Sequence, residues 1–298
     1  MISICIPTYN YDVNSLIENL LSQIKKSNEK IEIIVIDDAS EEKYLIKDSH
    51  IIHQIKYVVL PQNIGRAKIR NRFIDFASYD YLLFLDSDTM PVSDNFIENY
   101  LKVIKKYPHI KVFCGGHIYK ELKPERKYFL RWYYGKKREC NNFQKKNKNL
   151  YHSFKTANFL IDKKIFSDIK FDETLSQYGH EDTLFGYMLK KNNVNILHIN
   201  NLVYHLDNTS NKQFISNTLV GIHNLVYIVS KVNDKEEFIH FVRLLNMADK
   251  IENLHLKWLV LLIYYILAPI IKLLLIQGFP SLLLFDFLKI GYVLKIKC

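Results

Sequence analysis

Apolar residues gather in short runs that stop on polar clusters, and the most informative of these runs is residues 81–88, YLLFLDSD. Its unbroken apolar and aromatic stretch, Tyr81, Leu82, Leu83, Phe84 and Leu85, predicts a strand buried on both faces. Such strands belong to parallel sheets covered by helices. Residues 2–6 predict a short strand ended by Pro7. Residues 15–24 place Leu16, Ile17, Leu20, Leu21 and Ile24 at helical spacing, with Ser15 and Glu18 set as a capping box. A second strand at 31–36 closes on Asp37-Asp38-Ala39-Ser40, a third at 57–60 ends at Pro61, and a helix at 67–77 follows Gly65. Further strands are expected at 112–114, 196–199 and 203–206, with an amphipathic helix opening at Glu181-Asp182. The alternation predicts an α/β fold, a Rossmann-like, mostly parallel sheet flanked by helices.

Length and composition narrow the picture only a little. The 298 residues allow one large domain or two small ones. A net charge of +10 admits phosphates, anionic lipid head groups or nucleic acid as partners. Cys5, Cys114, Cys140 and Cys298 form no CxxC pair, which argues against a disulfide framework or a zinc site and for a reducing cytosol. No leader is expected ahead of the strand at residues 2–6. Neither GxGxxG nor GxxxxGK[ST] occurs, so a dinucleotide fingerprint and a P-loop are unsupported.

The predicted carboxyl ends of the strands carry the candidate chemistry, because ligands of open α/β sheets bind at that edge. Asp86-Ser87-Asp88 offers two hard oxygen donors suited to a divalent cation that also holds phosphates, or simply a solvated strand end. Asp37 and Asp38 can accept hydrogen bonds from a base or ribose, or cap a loop. Gly65-Arg66 precedes a helix bearing Lys68, Arg70 and Arg72, either an anion site or a basic exposed face. The Gly115-Gly116 pair allows close backbone approach to a sugar, or marks a bulge. Residues 120–138, with Arg131-Trp132-Tyr133-Tyr134, read as a solvated basic helix or as a face toward a phosphorylated acceptor.

Taken together, Ile4-Cys5-Ile6-Pro7-Thr8-Tyr9-Asn10, Val35-Ile36-Asp37-Asp38-Ala39-Ser40, Asn63-Ile64-Gly65-Arg66-Ala67 and Leu85-Asp86-Ser87-Asp88 resemble family 2 glycosyltransferases of the GT-A fold. The resemblance covers roughly residues 1–230. It implies an inverting transferase that moves a sugar from a UDP-sugar to a saccharide or lipid-linked saccharide, in bacterial surface-polysaccharide synthesis. It implies that Pro7, Tyr9 and Asp38 line the base and ribose pocket, that Asp37 contacts or positions the uracil edge, and that Gly65 with Arg66 or Arg70 lies near the diphosphate. Asp86-Ser87-Asp88 matches the DXD motif, with Asp88 the direct ligand of Mn²⁺ or Mg²⁺ and Asp86 and His205 further candidates. The segment around Asn158 would run beside the donor sugar; its Thr156-Ala157 departs from the glycines of many relatives. In Gly179-His180-Glu181-Asp182, Asp182 would be the general base and Glu181 would bind sugar hydroxyls, against a plain capping role for the pair. A sugar nucleotidyltransferase and a non-catalytic saccharide-binding membrane protein are the competing readings, and the resemblance argues against nucleic acid.

The carboxyl-terminal part changes character. Residues 258–276, WLVLLIYYILAPIIKLLLI, approach the minimum length of a membrane span, and residues 279–288 form a second apolar group. Lys257, Lys289, Lys295 and Lys297 flank them. The expected arrangement is helices lying in the cytoplasmic leaflet with lysines at anionic head groups, at the inner face of the cell membrane; a hairpin packed on the catalytic domain or on a dimer partner is the alternative. Residues 1–230 are thus read as the catalytic domain, with a nucleotide-sugar half of about 1–116 and an acceptor half of about 117–230, and residues 231–298 as a membrane-associating helical region.

Overall fold

In the computed structural model, which describes residues 1–140, 143–175 and 177–297, the first four predicted strands form as β1 (Ile2–Thr8), β2 (Ile31–Asp37), β3 (Lys56–Val59) and β4 (Tyr81–Leu85). Cys298 lies outside the described residues. The remaining strands are β5 (Thr89–Pro91), β6 (Val112–Cys114), β7 (His117–Ile118), β8 (Asn158–Asp162), β9 (Ile196–His198) and β10 (Val203–His205). Seven of them make one sheet in the order β3-β2-β1-β4-β8-β6-β9, with β8 antiparallel to both neighbours and every other pair parallel. A smaller sheet pairs β5, β10 and β7.

Alternation along the strands divides the core. On β4, Leu82 and Phe84 face a cluster with Phe73, Phe159, Phe166 and Phe185, while Leu83 and Leu85 face Leu16, Leu20, Phe96 and Phe113 on the other side. Phe84 stacks on Phe159 with ring centroids 4.9 Å apart. Both sheet faces are therefore buried, as an uninterrupted apolar strand requires. Because β1, β2, β3 and β4 are parallel, the loops after Thr8, Asp37, Val59 and Leu85 all emerge at one edge.

Two local expectations are corrected. The helix predicted from Ser15 runs Asn14–Ile24 without a side-chain cap; Asp12 Oδ1 instead accepts from the Asn14 N–H at 2.9 Å, so no Ser15–Glu18 capping box forms. Residues 120–138 are not one solvated helix. They contain a helix, Phe129–Tyr134, followed by a wider π turn, Gly135–Glu139, and Arg131 is turned inward to Glu139 and Asp207.

Beyond β10, helix Asn211–Lys231 leads into helices Lys235–Phe241, Arg243–Asn253, Lys257–Ile276 and Leu282–Ile296. They share a core with helix Glu181–Lys191, through Leu184, Tyr187, Leu225, Phe238, Leu245 and Val293. The last two helices pack as a hairpin. A Cβ at Gly291 would lie 2.1 Å from Tyr264 Cδ2, so only glycine permits that close approach. Tyr264, Ala268, Ile271 and Leu275 form the buried stripe of helix Lys257–Ile276, while Trp258, Leu262, Tyr265, Ile266, Ile270 and Leu273 on the other face are each more than half exposed. This helix is long and apolar enough to cross a membrane by length and composition. The flanking lysines do not all face outward: Lys257 and Lys297 both pair with Glu252, at 3.1 and 2.6 Å, and Lys289 pairs with Asp286 at 2.7 Å. A charge already neutralised within the fold has little left to offer an anionic head group.

Candidate active site

The turn after β4 sets the site. Asp86 keeps its N–H in the sheet, donating to Ala157 O, and Thr89 then starts β5. Because His205 of β10 sits opposite Thr89 in the antiparallel β5–β10 register, its ring is delivered beside Asp88. The Leu206 N–H fixes this by donating to Asp88 O at 2.7 Å. His205 Nε2 stands 3.6 Å from Asp88 Oδ2, too far for a hydrogen bond. Two donors on one cation, each about 2.1 Å from it, lie no more than about 4.2 Å apart, so this spacing fits a shared Mn²⁺ or Mg²⁺. Among the described residues no third His, Cys, Asp or Glu completes a cluster. A cation here would take its remaining ligands from phosphate oxygens and water, the usual habit of Mg²⁺. His205 Nδ1 is buried without a partner.

Asp86 does not join that pair. Arg70, on helix Arg66–Phe76 and only 3% exposed, donates Nη2 to Asp86 Oδ1 at 2.7 Å and Nη1 to Arg66 O at 3.1 Å. Its Nη1 also lies 3.8 Å from Glu181 Oε1, and Arg66 Nη1 lies 3.9 Å from the same oxygen. One oxygen of the Asp86 carboxylate is thus engaged by a buried guanidinium, which leaves Asp88 the freer carboxylate of the turn. The two aspartates of the turn are driven apart electrostatically. Burial pushes Asp88 above the ordinary carboxylate range, only partly offset by His205. Burial would do the same to Asp86, but Arg70 and Arg66 outweigh it and hold Asp86 below that range.

Asp182 occupies the first turn of helix Glu181–Lys191, entered through Gly179 and His180, both with positive φ. Its Oδ2 is 2.5 Å from Lys155 Nζ and its Oδ1 accepts from the Thr183 N–H at 2.7 Å. Burial opposes ionisation, yet Lys155 prevails and Asp182 lies below the ordinary carboxylate value. Burial lowers His180 to about 4, so the imidazole next to this carboxylate is neutral at neutral pH.

On the nucleotide side the predicted residues separate. Tyr9 is exposed and Pro7 half-buried at the rim, with Ser87 half-buried in the turn. Asp38 is buried, and its two oxygens accept from the Ile64 and Gly65 N–H groups at 2.7 and 3.0 Å. These two bonds fix the loop before Arg66. Asp37 is 0% exposed; its Oδ1 accepts from the Ser40 N–H at 2.6 Å, and its Oδ2 is buried without a hydrogen-bond partner among the described residues. The Asn158 amide donates to Gly116 O and Asn201 O and accepts from Tyr100 Oη at 2.6 Å, so both of its N–H donors are spent inside the fold and one acceptor position of Oδ1 remains. The same network explains Gly115, where a Cβ would lie 2.4 Å from Asn158 Nδ2.

Several site residues escaped the sequence reading. His117 and Tyr119 pack on the His205 ring, with centroids 5.5 and 5.4 Å away, and both contact Glu139. Arg131 joins Glu139 to Asp207 at 3.0 and 2.9 Å, backing His205 with a buried ionic network. Their separations along the chain leave no local spacing to read. Lys155 was legible as a basic residue just before β8, but not as the partner of Asp182.

The family model described as glycosyl transferase family 2 matches residues 3–169, more than half of the chain. An uncharacterized glycosyltransferase of Haemophilus influenzae is 34% identical over 125 residues, which is 41% of this chain and 49% of that relative. A poly-beta-1,6-N-acetyl-D-glucosamine synthase of Staphylococcus aureus is 36% identical over 91 residues, covering 28% of this chain and 21% of the synthase. The chain thus spans half or less of these curated relatives. Among solved structures, the mannosyltransferase PcManGT of Pyrobaculum calidifontis, in complex with GDP-Man and Mn²⁺, superposes with a TM-score of 0.57 at 12% identity, covering 99% of this chain and 84% of its own. The S. aureus TarS structure gives a TM-score of 0.50 at 20% identity, covering 80% of this chain and 42% of TarS. The chain belongs to glycosyl transferase family 2 and has the GT-A fold.

Proposed function

We propose that this chain is an inverting glycosyltransferase that moves a sugar from a UDP-sugar to a hydroxyl of a saccharide acceptor, free or lipid-linked. One observation carries the reading. Arg70 bridges Asp86 of the β4 turn to Glu181, the residue before Asp182, so the end suited to cation and diphosphate is wired to the end suited to proton removal. The choice of uridine rests on the sequence resemblance.

Asp88 and His205 would hold Mn²⁺ or Mg²⁺, which when bound neutralises charge on the departing diphosphate. Arg66, at the start of its helix and with an exposed side chain, is placed to contact the same phosphates. Asp182, kept ionised by Lys155, accepts the proton of the acceptor hydroxyl as that oxygen attacks the anomeric carbon from the face opposite the nucleotide. Lys155 must loosen its grip for this to occur, since an ammonium bound to the carboxylate lowers its basicity. Glu181 orients sugar hydroxyls with the oxygen not turned toward the arginines.

We further propose that residues 1–230 are the catalytic domain and that 231–298 seat it on the cytoplasmic membrane leaflet through the exposed face of helix Lys257–Ile276. The test is turnover with UDP-, GDP- and CDP-sugars in Mn²⁺, Mg²⁺ or EDTA. Metal-dependent release of a nucleoside diphosphate from one of them is expected. Pyrophosphate release from a nucleoside triphosphate would indicate a nucleotidyltransferase instead, and no turnover of any donor would sink the proposal.

A further inference from the structure

A cavity of about 920 Å³ opens beside Asp182, walled by residues of the catalytic part and of the carboxyl-terminal helices. Lys155 and Thr183, which hold Asp182, form one side of it; Val242, Arg243 and Lys289 form another. Among the described residues, seven Lys or Arg side chains and two carboxylates line it, a formal excess of five positive charges. Part of that charge is settled internally, because Asp286 is shared by Arg138 and Lys289, both at 2.7 Å. Lys146 is not settled in this way. It is only 8% exposed, it lines the cavity, and among the described residues no carboxylate lies within ion-pair distance of it. A buried ammonium without a counter-charge is costly, and the cost is relieved when an anion enters. Lys148 and Arg243, both exposed, add charge along the same wall and focus the field on incoming anions.

We propose that this cavity is the acceptor subsite and that it recognises a phosphate or diphosphate group carried by the acceptor, with Lys146, Lys148 and Arg243 as its ligands. The inference rests on the transferase reading for the word acceptor, but the anion site stands or falls on its own measurement. It also assigns a purpose to Lys155, which borders both the cavity and Asp182. An anion in the cavity competes for that ammonium and frees the carboxylate when an acceptor is present. The anion can belong to a lipid-linked diphosphate or to a soluble phosphorylated saccharide.

The probe is inorganic pyrophosphate, titrated calorimetrically into the full chain in EDTA, where no cation is available at Asp88. Wild type and Asp88→Ala are expected to bind equally, while Lys146→Gln and the exposed pair Lys148→Gln/Arg243→Gln each weaken binding by about tenfold or more, the value of one charge-assisted hydrogen bond. Absence of binding to wild type, or equal binding by the folded lysine and arginine variants, overturns the proposal. A second arm uses vesicles of phosphatidylglycerol in phosphatidylcholine. Loss of vesicle binding in the Lys148→Gln/Arg243→Gln variant assigns the site to a lipid phosphate; unchanged vesicle binding with lost pyrophosphate binding assigns it to a saccharide-borne one. UDP and GDP binding in Mn²⁺, measured on the same samples, separates the two readings. Failure there with pyrophosphate binding intact removes the transferase and leaves the anion site.

Discussion

Arg70→Met probes the bridge at the centre of the site. The substitution keeps an unbranched apolar side chain of similar reach and removes the guanidinium that holds Asp86 and Glu181 and lies over the Phe171 ring. Removing one partner of a buried ion pair costs about 3–5 kcal/mol. The Asp86 side chain retains 23% exposure, so the lower end, about 3 kcal/mol, is expected. The pH dependence has a definite sign. In the wild type Asp86 is held below its ordinary value, so its contribution to stability is present above the unfolded pKa and lost as pH falls through the folded one. In the variant burial is opposed only by Arg66 and His205, the folded pKa rises, and protonation in acid relieves the buried charge. The stability gap between wild type and variant should therefore be widest near neutral pH and narrow in acid. Urea unfolding of wild type, Arg70→Met and Arg70→Met/Asp86→Asn measures this, and the added Asp86→Asn should restore part of the loss. A loss under about 1 kcal/mol, or a loss indifferent to both pH and Asp86→Asn, would refute the reasoning.

Three further outcomes are expected. Asp182→Asn should lower turnover by about 10²–10⁴-fold with nucleotide binding retained, and near-normal turnover would remove Asp182 as the base. Lys155→Met should move the acid limb of the pH–rate profile upward, because the cation that depresses Asp182 is gone while its burial remains; a limb that stays in place or moves down contradicts the pairing. Vesicle co-sedimentation should fall sharply in Leu262→Asp/Ile266→Asp and change little with salt, since most of the flanking lysines are already paired. Steep salt dependence would return the lysines to the head groups.

What was legible in the sequence follows from range. The strand at 81–85 could be read because an unbroken apolar run ending on carboxylates is a local signal, and the parallel order of β1 to β4 follows from the helices between them. The edge carrying Asp38, Gly65, Asp86 and Asp88 was readable for the same reason. What could not be read is which groups each polar side chain meets across the fold. Arg131 looked like part of a solvated basic face, yet its partner Asp207 lies 76 positions away. Asn158 was read beside the donor sugar, and nothing local announced that Tyr100 and Asn201, 58 and 43 positions away, hold its amide. Ser15 and Glu18 had the right spacing for a cap, but the chain enters that helix through Asp12 instead. Local spacing specifies elements; it does not say which of two adjacent aspartates a distant arginine will claim.

The most direct test of the account is calorimetric titration of UDP and GDP into wild type and Asp88→Ala, with Mn²⁺ and with EDTA. The account predicts that wild type binds UDP in Mn²⁺, that EDTA or Asp88→Ala weakens this strongly, and that His205→Ala does so as well. Nucleotide binding indifferent to metal and to both substitutions would contradict the assignment of Asp88 and His205, and no nucleotide binding at all would contradict the donor site itself.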